Sequence, residues 1–365
     1  MMTHTPHPDL PPPITSVGAV GWLRRNLFSS PLNTALTVLA AYLLYLLLPP
    51  IISWAFLNAD WVGDDREACN SGGACWVFIR SRFDQFMYGF YPEAQRWRVN
   101  IVLGGLAIGM VLLMIRMFPY KNWLGAFMLL GYPILALTLL AGGVFGLETV
   151  ETSQWGGLTL TLIIAIVGCV ASLPLGILLA LGRRSEMPIV RAICVVFIEF
   201  WRGVPLITVL FMSSVMLPLF LPEGVNFDKL LRALIGVTLF EAAYMAEVIR
   251  GGLQAIPKGQ YEAAAGLGLG YWRSMGLIIL PQALKLVIPG IVNTFIALFK
   301  DTTLVIIIGL LDLLNTVHNA TTDPNWLGYS IEGYVFAAAV FWIFCFSMSR
   351  YSQNLEQRLH TGHRR

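Results

Sequence analysis

GGLTLTLIIAIVGCVASLPLGILLAL, residues 156–181, contains no charged side chain. A helix needs about 20 apolar residues to cross the hydrocarbon of a bilayer, and this run is longer than that. Gly168, Ser172 and Gly176 recur within it at every fourth position. That spacing puts small side chains on one helix face, where a second backbone can approach closely. Such a ridge serves packing within the chain or contact with a partner subunit. Gly105 and Gly109 form a shorter pair of the same kind.

The rest of the chain repeats the pattern. Of its 365 residues, 56% are hydrophobic and 12% charged, against about 25% charged in soluble domains. Further apolar runs lie near 32–57, 99–117, 124–146, 189–221, 230–250, 283–301 and 333–350. The expected fold is therefore an all-α polytopic membrane protein with about eight transmembrane helices. Glu199 and Arg202 interrupt the run 189–221, so its first part is expected to lie in the interface and to cross only after Gly203. The stretch Thr303–Leu314 is apolar but too short to cross at 1.5 Å per residue, and reads as a re-entrant or interfacial piece.

Basic residues cluster where an even number of spans has passed, at Arg183, Arg184, Arg191, Arg250, Lys258, Arg273, Arg350 and Arg358. The positive-inside rule then places both termini in the cytoplasm. The loop 58–98 runs against that bias with five arginines. Residues 1–31 are Pro-rich and polar and are expected to be a disordered cytoplasmic tail. The first apolar run is longer than the 7–15 residues of a signal core, and no small-residue cleavage site follows it, so it reads as a retained span. Residues 32–155 then hold three spans around the extracytoplasmic loop 58–98. Residues 156–352 hold five, and 353–365 form a cytoplasmic tail.

Several chemistries are not expected. The net charge is only +3, with no aromatic-basic interleaving, which argues against a nucleic-acid partner. Cys169, Cys194 and Cys345 lie in apolar runs as small packing residues. Cys69 and Cys75 share a polar loop with Gly72 and Gly73 between them, and a disulfide can form there if the loop is extracytoplasmic. No His or further Cys stands near enough to make a metal site. The chain lacks G-x-x-x-x-G-K-[ST], and Gly266, Gly268 and Gly270 precede no Lys, so it cannot hydrolyse ATP alone. No cofactor is implied.

One loop stands out, residues 251–281. Gly251-Gly252 ends the preceding helix, Pro257 suits the start of a new one, and Tyr261-Glu262-Ala263-Ala264-Ala265 favours helix. Gly266, Gly268 and Gly270 stop it and permit a sharp turn. Tyr271 to Leu280 resumes helical character, and Pro281 is expected to break it. A small Ala-faced helix between two turns makes a docking element for a soluble partner, with Glu262 offering an ionic contact. An ordinary connecting loop is the alternative.

Glu262-Ala263-Ala264, Gly268 and Ile278-Ile279-Leu280-Pro281 stand in the spacing EAA, three residues, G, nine residues, IxLP. This resembles the EAA loop of ABC importer permeases. Phe200-Trp201-Arg202-Gly203-Val204-Pro205-Leu206, Arg250-Gly251-Gly252-Leu253-Gln254-Ala255-Ile256-Pro257-Lys258-Gly259-Gln260 and Phe299-Lys300-Asp301-Thr302-Thr303-Leu304 are similar to segments of the polar amino-acid permeases, a type I family; Val204 and Thr303 replace Thr and Ser. Residues 61–98, with Cys69 and Cys75, resemble the M-type permease of the bacterial general L-amino-acid importer.

The resemblance implies a type I permease core of five helices, here with three N-terminal helices added, in the bacterial inner membrane. It implies ABC ATPase subunits, a second related permease, a periplasmic amino-acid-binding protein and an L-amino-acid substrate as partners, besides membrane lipid. The loop 58–98 would be periplasmic, and Glu262, Ala263, Ala264, Gly268, Leu280 and Pro281 would couple to the ATPase. A zwitterionic substrate needs an acceptor for its ammonium, from Glu241 or Asp301, and donors for its carboxylate, from Arg202 or Lys300. Those charges could instead satisfy one another or a partner subunit, with Glu199 pairing Arg202 and Lys300 pairing Asp301. An ion-coupled secondary transporter would suit the broken region around Lys300, but not the EAA loop or the lack of an internal repeat.

Overall fold

The computed structural model describes residues 18–115, 117–220, 222 and 227–359. The chain forms two compact units, Met1–Val77 and Phe78–Arg365.

In the first unit, α1 (Gly18–Asn26) precedes α2 (Pro31–Ile52). A helix thus occupies part of the stretch expected as a disordered tail, whose residues 1–17 lie outside the described residues. Arg24 and Arg25 fall in the last turn of α1, where cations suit the helix dipole. Ser30 caps α2 by accepting from the Asn33 N–H at 3.1 Å, and Pro31 takes the first helical position. The helix runs on through a π turn at 53–57. No residue of α2 is buried, as suits a helix turned toward lipid. Trp61 and Trp54 both pack on Trp76, whose indole N–H donates to Ala55 O at 2.8 Å. Cys69 and Cys75 are joined in a disulfide, with Cα atoms 5.5 Å apart.

The second unit opens in α3 (Trp76–Tyr88). The expected polar loop 58–98 therefore contains a helix. Arg80, Ser81 and Asp84 face out, while Phe78 and Phe86 are buried against Trp326 and Phe336. Next come α4 (Arg96–Met114), α5 (Lys121–Ala126) and α6 (Tyr132–Ala141), the last two joined by a π turn. α7 (Gly157–Arg183) is followed by α8 (Pro188–Gly203) and α9 (Leu206–Phe211), which continues through a π turn to Phe220. The chain bends by 102° between α8 and α9, at the extended pair Val204-Pro205. This is the interruption that Glu199 and Arg202 mark in the sequence.

α10 (Lys229–Ala255) leads into α11 (Lys258–Gly266), α12 (Tyr271–Ser274) and α13 (Leu280–Leu286). α14 (Ile288–Asp301), α15 (Leu313–Thr321) and α16 (Ser330–Leu359) complete the unit. Pro281 does not break its helix. It sits in the first turn of α13, directly after a π turn at 275–279, and the break falls at Val287. The wider turn relieves the clash between the proline ring and the carbonyl four residues earlier. The stretch Thr303–Leu314 is not one continuous piece either. Thr302–Ile308 extends α14 as a 3-10 helix; Leu311-Asp312 then bridges to Gly156-Gly157, and Asp312 caps α15.

α7 and α10 run parallel and form the axis of this unit. A side chain at Gly168 would meet Leu298 at 2.7 Å and Val237 at 3.4 Å, and one at Gly176 would meet Met245 at 2.7 Å. The small-residue ridge thus packs within the chain. Residues 206–220 return antiparallel to α10: Val209 approaches Gly236, and Arg232 donates to Ser214 O.

Among the described residues, six helices are long and apolar enough to cross a membrane: Pro31–Leu57, Glu93–Met114, Lys121–Ala141, Gly157–Arg183, Ile288–Ile308 and Ser330–Leu359. The bent pair Pro188–Gly203 and Leu206–Phe220 would make a seventh. α10 has the length but carries Arg232, Glu241, Glu247 and Arg250.

Candidate functional site

The residues of the 251–281 loop assemble at the Arg183 end of α7. Ile256 and Pro257 are extended and turn the chain out of α10 into α11. Gly268, at φ +71°, ends the turn after α11 in the left-handed region that glycine tolerates. Its N–H donates to Ala265 O at 2.9 Å, and the Leu269 N–H donates to Ala264 O at 3.2 Å, satisfying the last carbonyls.

α11 is two-faced. Ala264 is buried, while Glu262 and Ala263 are exposed. Tyr261 fixes the inner face: its O–H donates to Leu253 O at 3.1 Å, and Arg184 donates to its hydroxyl at 3.1 Å while stacking over the ring. Gln282 donates to Gln260 at 3.1 Å, tying α11 to α13. Beneath lies an apolar cluster of Ile198, Met245, Ile249, Leu253, Ile279 and Ala283, with Leu280 packed against it. Pro281 is exposed. Around the exposed face stand Leu267, Tyr271, Trp272 and Leu277, all open to solvent. Tyr271 is only half exposed, and that partial burial pushes its phenol up, against the opposing charge of Arg184. Sequence reasoning passed over this apolar rim, although Trp272 and Leu277 in a polar loop were a visible signal.

An ionic hub holds the platform. Arg250 donates twice to Glu247 Oε2, at 3.0 and 2.8 Å. Arg183 lies 2.9 Å from Glu247 Oε1 and 2.8 Å from Glu199, and Arg202 lies 3.8 Å from Glu247. α7, α8 and α10 are therefore locked together beneath α11. Arg183, Arg184, Arg191, Val195, Arg250 and Gln254 line an adjacent cavity of about 490 Å³.

Of the four residues proposed for substrate, Glu241 and Asp301 come near each other. Arg202 belongs to the hub and lies over the Tyr244 ring. Glu241 is buried between helices, close enough to Asp301 for their charges to interact, and Lys300 is exposed. Among the described residues Glu199 pairs with Arg183 rather than Arg202, and Lys300 forms no ion pair with Asp301.

The family model described as "Binding-protein-dependent transport system inner membrane component" matches residues 172–361. The inner membrane amino-acid ABC transporter permease protein YhdY of Escherichia coli is 62% identical over 356 residues, 98% of this chain and 97% of that one. The glutamate/glutamine/aspartate/asparagine transport system permease protein BztC of Rhodobacter capsulatus is 43% identical, over 97% of this chain and 96% of its own. The probable glutamine ABC transporter permease protein GlnP of Bacillus subtilis is 31% identical over 56% of this chain, yet over 92% of itself.

Proposed function

This chain belongs to the family of binding-protein-dependent transport system inner membrane components, as a non-catalytic permease subunit of an ABC importer, and from that premise we propose that it carries L-amino acids across the bacterial inner membrane with a second, related permease. A periplasmic binding protein delivers the substrate, and separate ATPase subunits drive the cycle. The printed names of the relatives support amino acids as the cargo. The GlnP match, spanning nearly all of that relative but about half of this chain, supports a core near 156–352 preceded by an added region, 32–155. The near full-length YhdY and BztC matches accord with an M-type permease that shares this added region.

The observation that carries the coupling role is the two-faced α11. Its inner face is bolted to α7, α10 and α13, and its outer face offers Glu262 and Ala263 inside an apolar rim. A partner docked there pushes on a rigid platform. In this reading Glu262, Ala263, Ala264, Gly268, Leu280 and Pro281 form or support the coupling surface, and both termini lie in the cytoplasm. α10 crosses as the eighth span, because it runs parallel to α7 along the same length and its charges are sheltered by protein. Arg202, Glu241, Lys300 and Asp301 remain candidates for the path. Glu241 with Asp301 suits a substrate ammonium, while Arg202, held in the hub, is the weaker donor.

Glu262→Ala in the reconstituted complex should lower ATP-driven amino-acid uptake about tenfold or more, the scale of a lost charge-assisted contact, while the protein still inserts. Uptake per ATP hydrolysed that matches the wild type would remove Glu262 from the coupling surface.

A further inference from the structure

We propose that the four-arginine cavity beside the ionic hub binds the phosphate of an anionic glycerophospholipid. The proposal rests on the cytoplasmic placement of residues 251–281. Arg183, Arg184, Arg191 and Arg250 come from the end of α7, the start of α8 and the last turns of α10, and they converge on one space of about 490 Å³. Glu247 and Glu199 engage Arg183, and Glu247 engages Arg250. Among the described residues Arg184 forms no ion pair; it donates to a neutral tyrosine hydroxyl and lies over that ring. Among the described residues Arg191 has no carboxylate within ion-pair distance.

Helix stability does not explain this arrangement. Arg183 suits the C-terminal turn of α7, but Arg191 sits at the N-terminal end of α8, where the helix dipole disfavours a cation. Several guanidinium groups around one cavity repel each other unless an anion neutralises them, and their planar forks match phosphate oxygens in pairs. The second observation concerns the tail. Ile189, Ile193, Val196 and Phe200 form a stripe on α8 and are 73, 64, 67 and 56% exposed. Arg191 and Val195, which line the cavity, lie on the opposite face of that helix. An amphipathic helix of this make-up, turned 102° from the segment that follows, lies in the interface, with its apolar side among acyl chains and its basic side at headgroup depth.

The test is native mass spectrometry of the purified full chain in detergent, titrated with dioleoyl-phosphatidylglycerol or dioleoyl-phosphatidylcholine, with and without millimolar inorganic phosphate. Phosphatidylglycerol should be retained in preference, and R184Q and R191Q should each lower its retention about fivefold, with phosphatidylcholine unaffected. Inorganic phosphate should not displace the lipid. Unchanged melting temperatures would confirm that the variants are folded. Equal retention of the two lipids by the wild type would overturn the site. Displacement by inorganic phosphate would make it a free-anion site and overturn the lipid assignment. Loss of the lipid when the ATPase subunits bind would assign the pocket to an acidic protein segment instead. Retention in detergent does not depend on which side of the membrane the loop occupies; labelling of a cysteine placed at 262 reads that side separately.

Discussion

At Gly176 the absent side chain sets how close α7 and α10 lie. A methyl group there would stand 2.7 Å from Met245 Cβ and 3.1 Å from the Ala246 backbone nitrogen, and a backbone atom cannot swing aside. Gly176→Ala gains about 1 kcal/mol of helix propensity but forces the pair apart, at about 1–3 kcal/mol. Its melting temperature in detergent should fall. Gly105→Ala is the control: Tyr132 lies at 3.4 Å, ordinary contact, so that variant should melt at or slightly above the wild type. A lower melting point for Gly105→Ala alone would contradict this account of the ridge. Glu247 is the second residue on which packing turns, since Arg183, Arg202 and Arg250 all lie within 4.0 Å of its carboxylate. Glu247→Gln leaves three like charges facing one another, and should cost about 2 kcal/mol, less than a fully buried pair because the arginines are partly exposed. The glycine spacing was legible in the sequence because it is a property of one helix. The partners of Glu247 were not, because Arg183 and Arg250 come from turns far apart in the chain.

At the scale of elements, proline explains where sequence reasoning and structure part. Pro133, Pro218 and Pro281 each stand two residues beyond a π turn, at 127–131, 212–216 and 275–279. A proline cannot donate to the carbonyl four residues back and crowds it. One wider turn absorbs both defects without ending the helix. Pro174 lies inside α7 with no such turn, so the proline alone does not dictate the bulge. At 281 the surroundings favour it, because Ile279 and Ala283 are both buried, and Ala283 O would stand 2.7 Å from a side chain at Gly252 of α10. That is why the start of α11 and its stop at the glycines could be read from local residues, whereas the fate of Pro281 depended on tertiary contacts. Pro281→Ala should let the π turn relax to α-helix. Closing the π turn to α shifts the register by about one residue, rotating α12 and the turn at Gly268 by about 100° relative to α13. Amide exchange across 275–285 should slow, while ATP-driven uptake falls. Slower exchange with full uptake would show that the orientation of α12 carries no part of the coupling.

Over the whole molecule, the parallel course of α7 and α10 decides the topology. Asp228, just before α10, accepts a hydrogen bond from Thr152, just before α7. At their other ends, Glu247 meets Arg183, and Leu253 meets Tyr261. If α7 crosses the bilayer, α10 beside it must cross in the same direction, whatever its hydropathy. Residues 206–220 provide the return stroke between them, and α8, turned across their direction, remains at the entry face. In that case charge composition undercounts the spans, since the groups that disqualify α10 are the ones that neighbouring helices shelter. In a cysteine-free background, single cysteines at Ser153 and Thr322 should react with an impermeant maleimide added outside intact spheroplasts. Cysteines at Glu186 and Glu262 should react only after lysis. If α10 did not cross, position 262 would label with 153 from outside and position 322 would become inaccessible, a pattern that no other single error in the topology between 153 and 322 reproduces while leaving Glu186 inside and the return stroke intact.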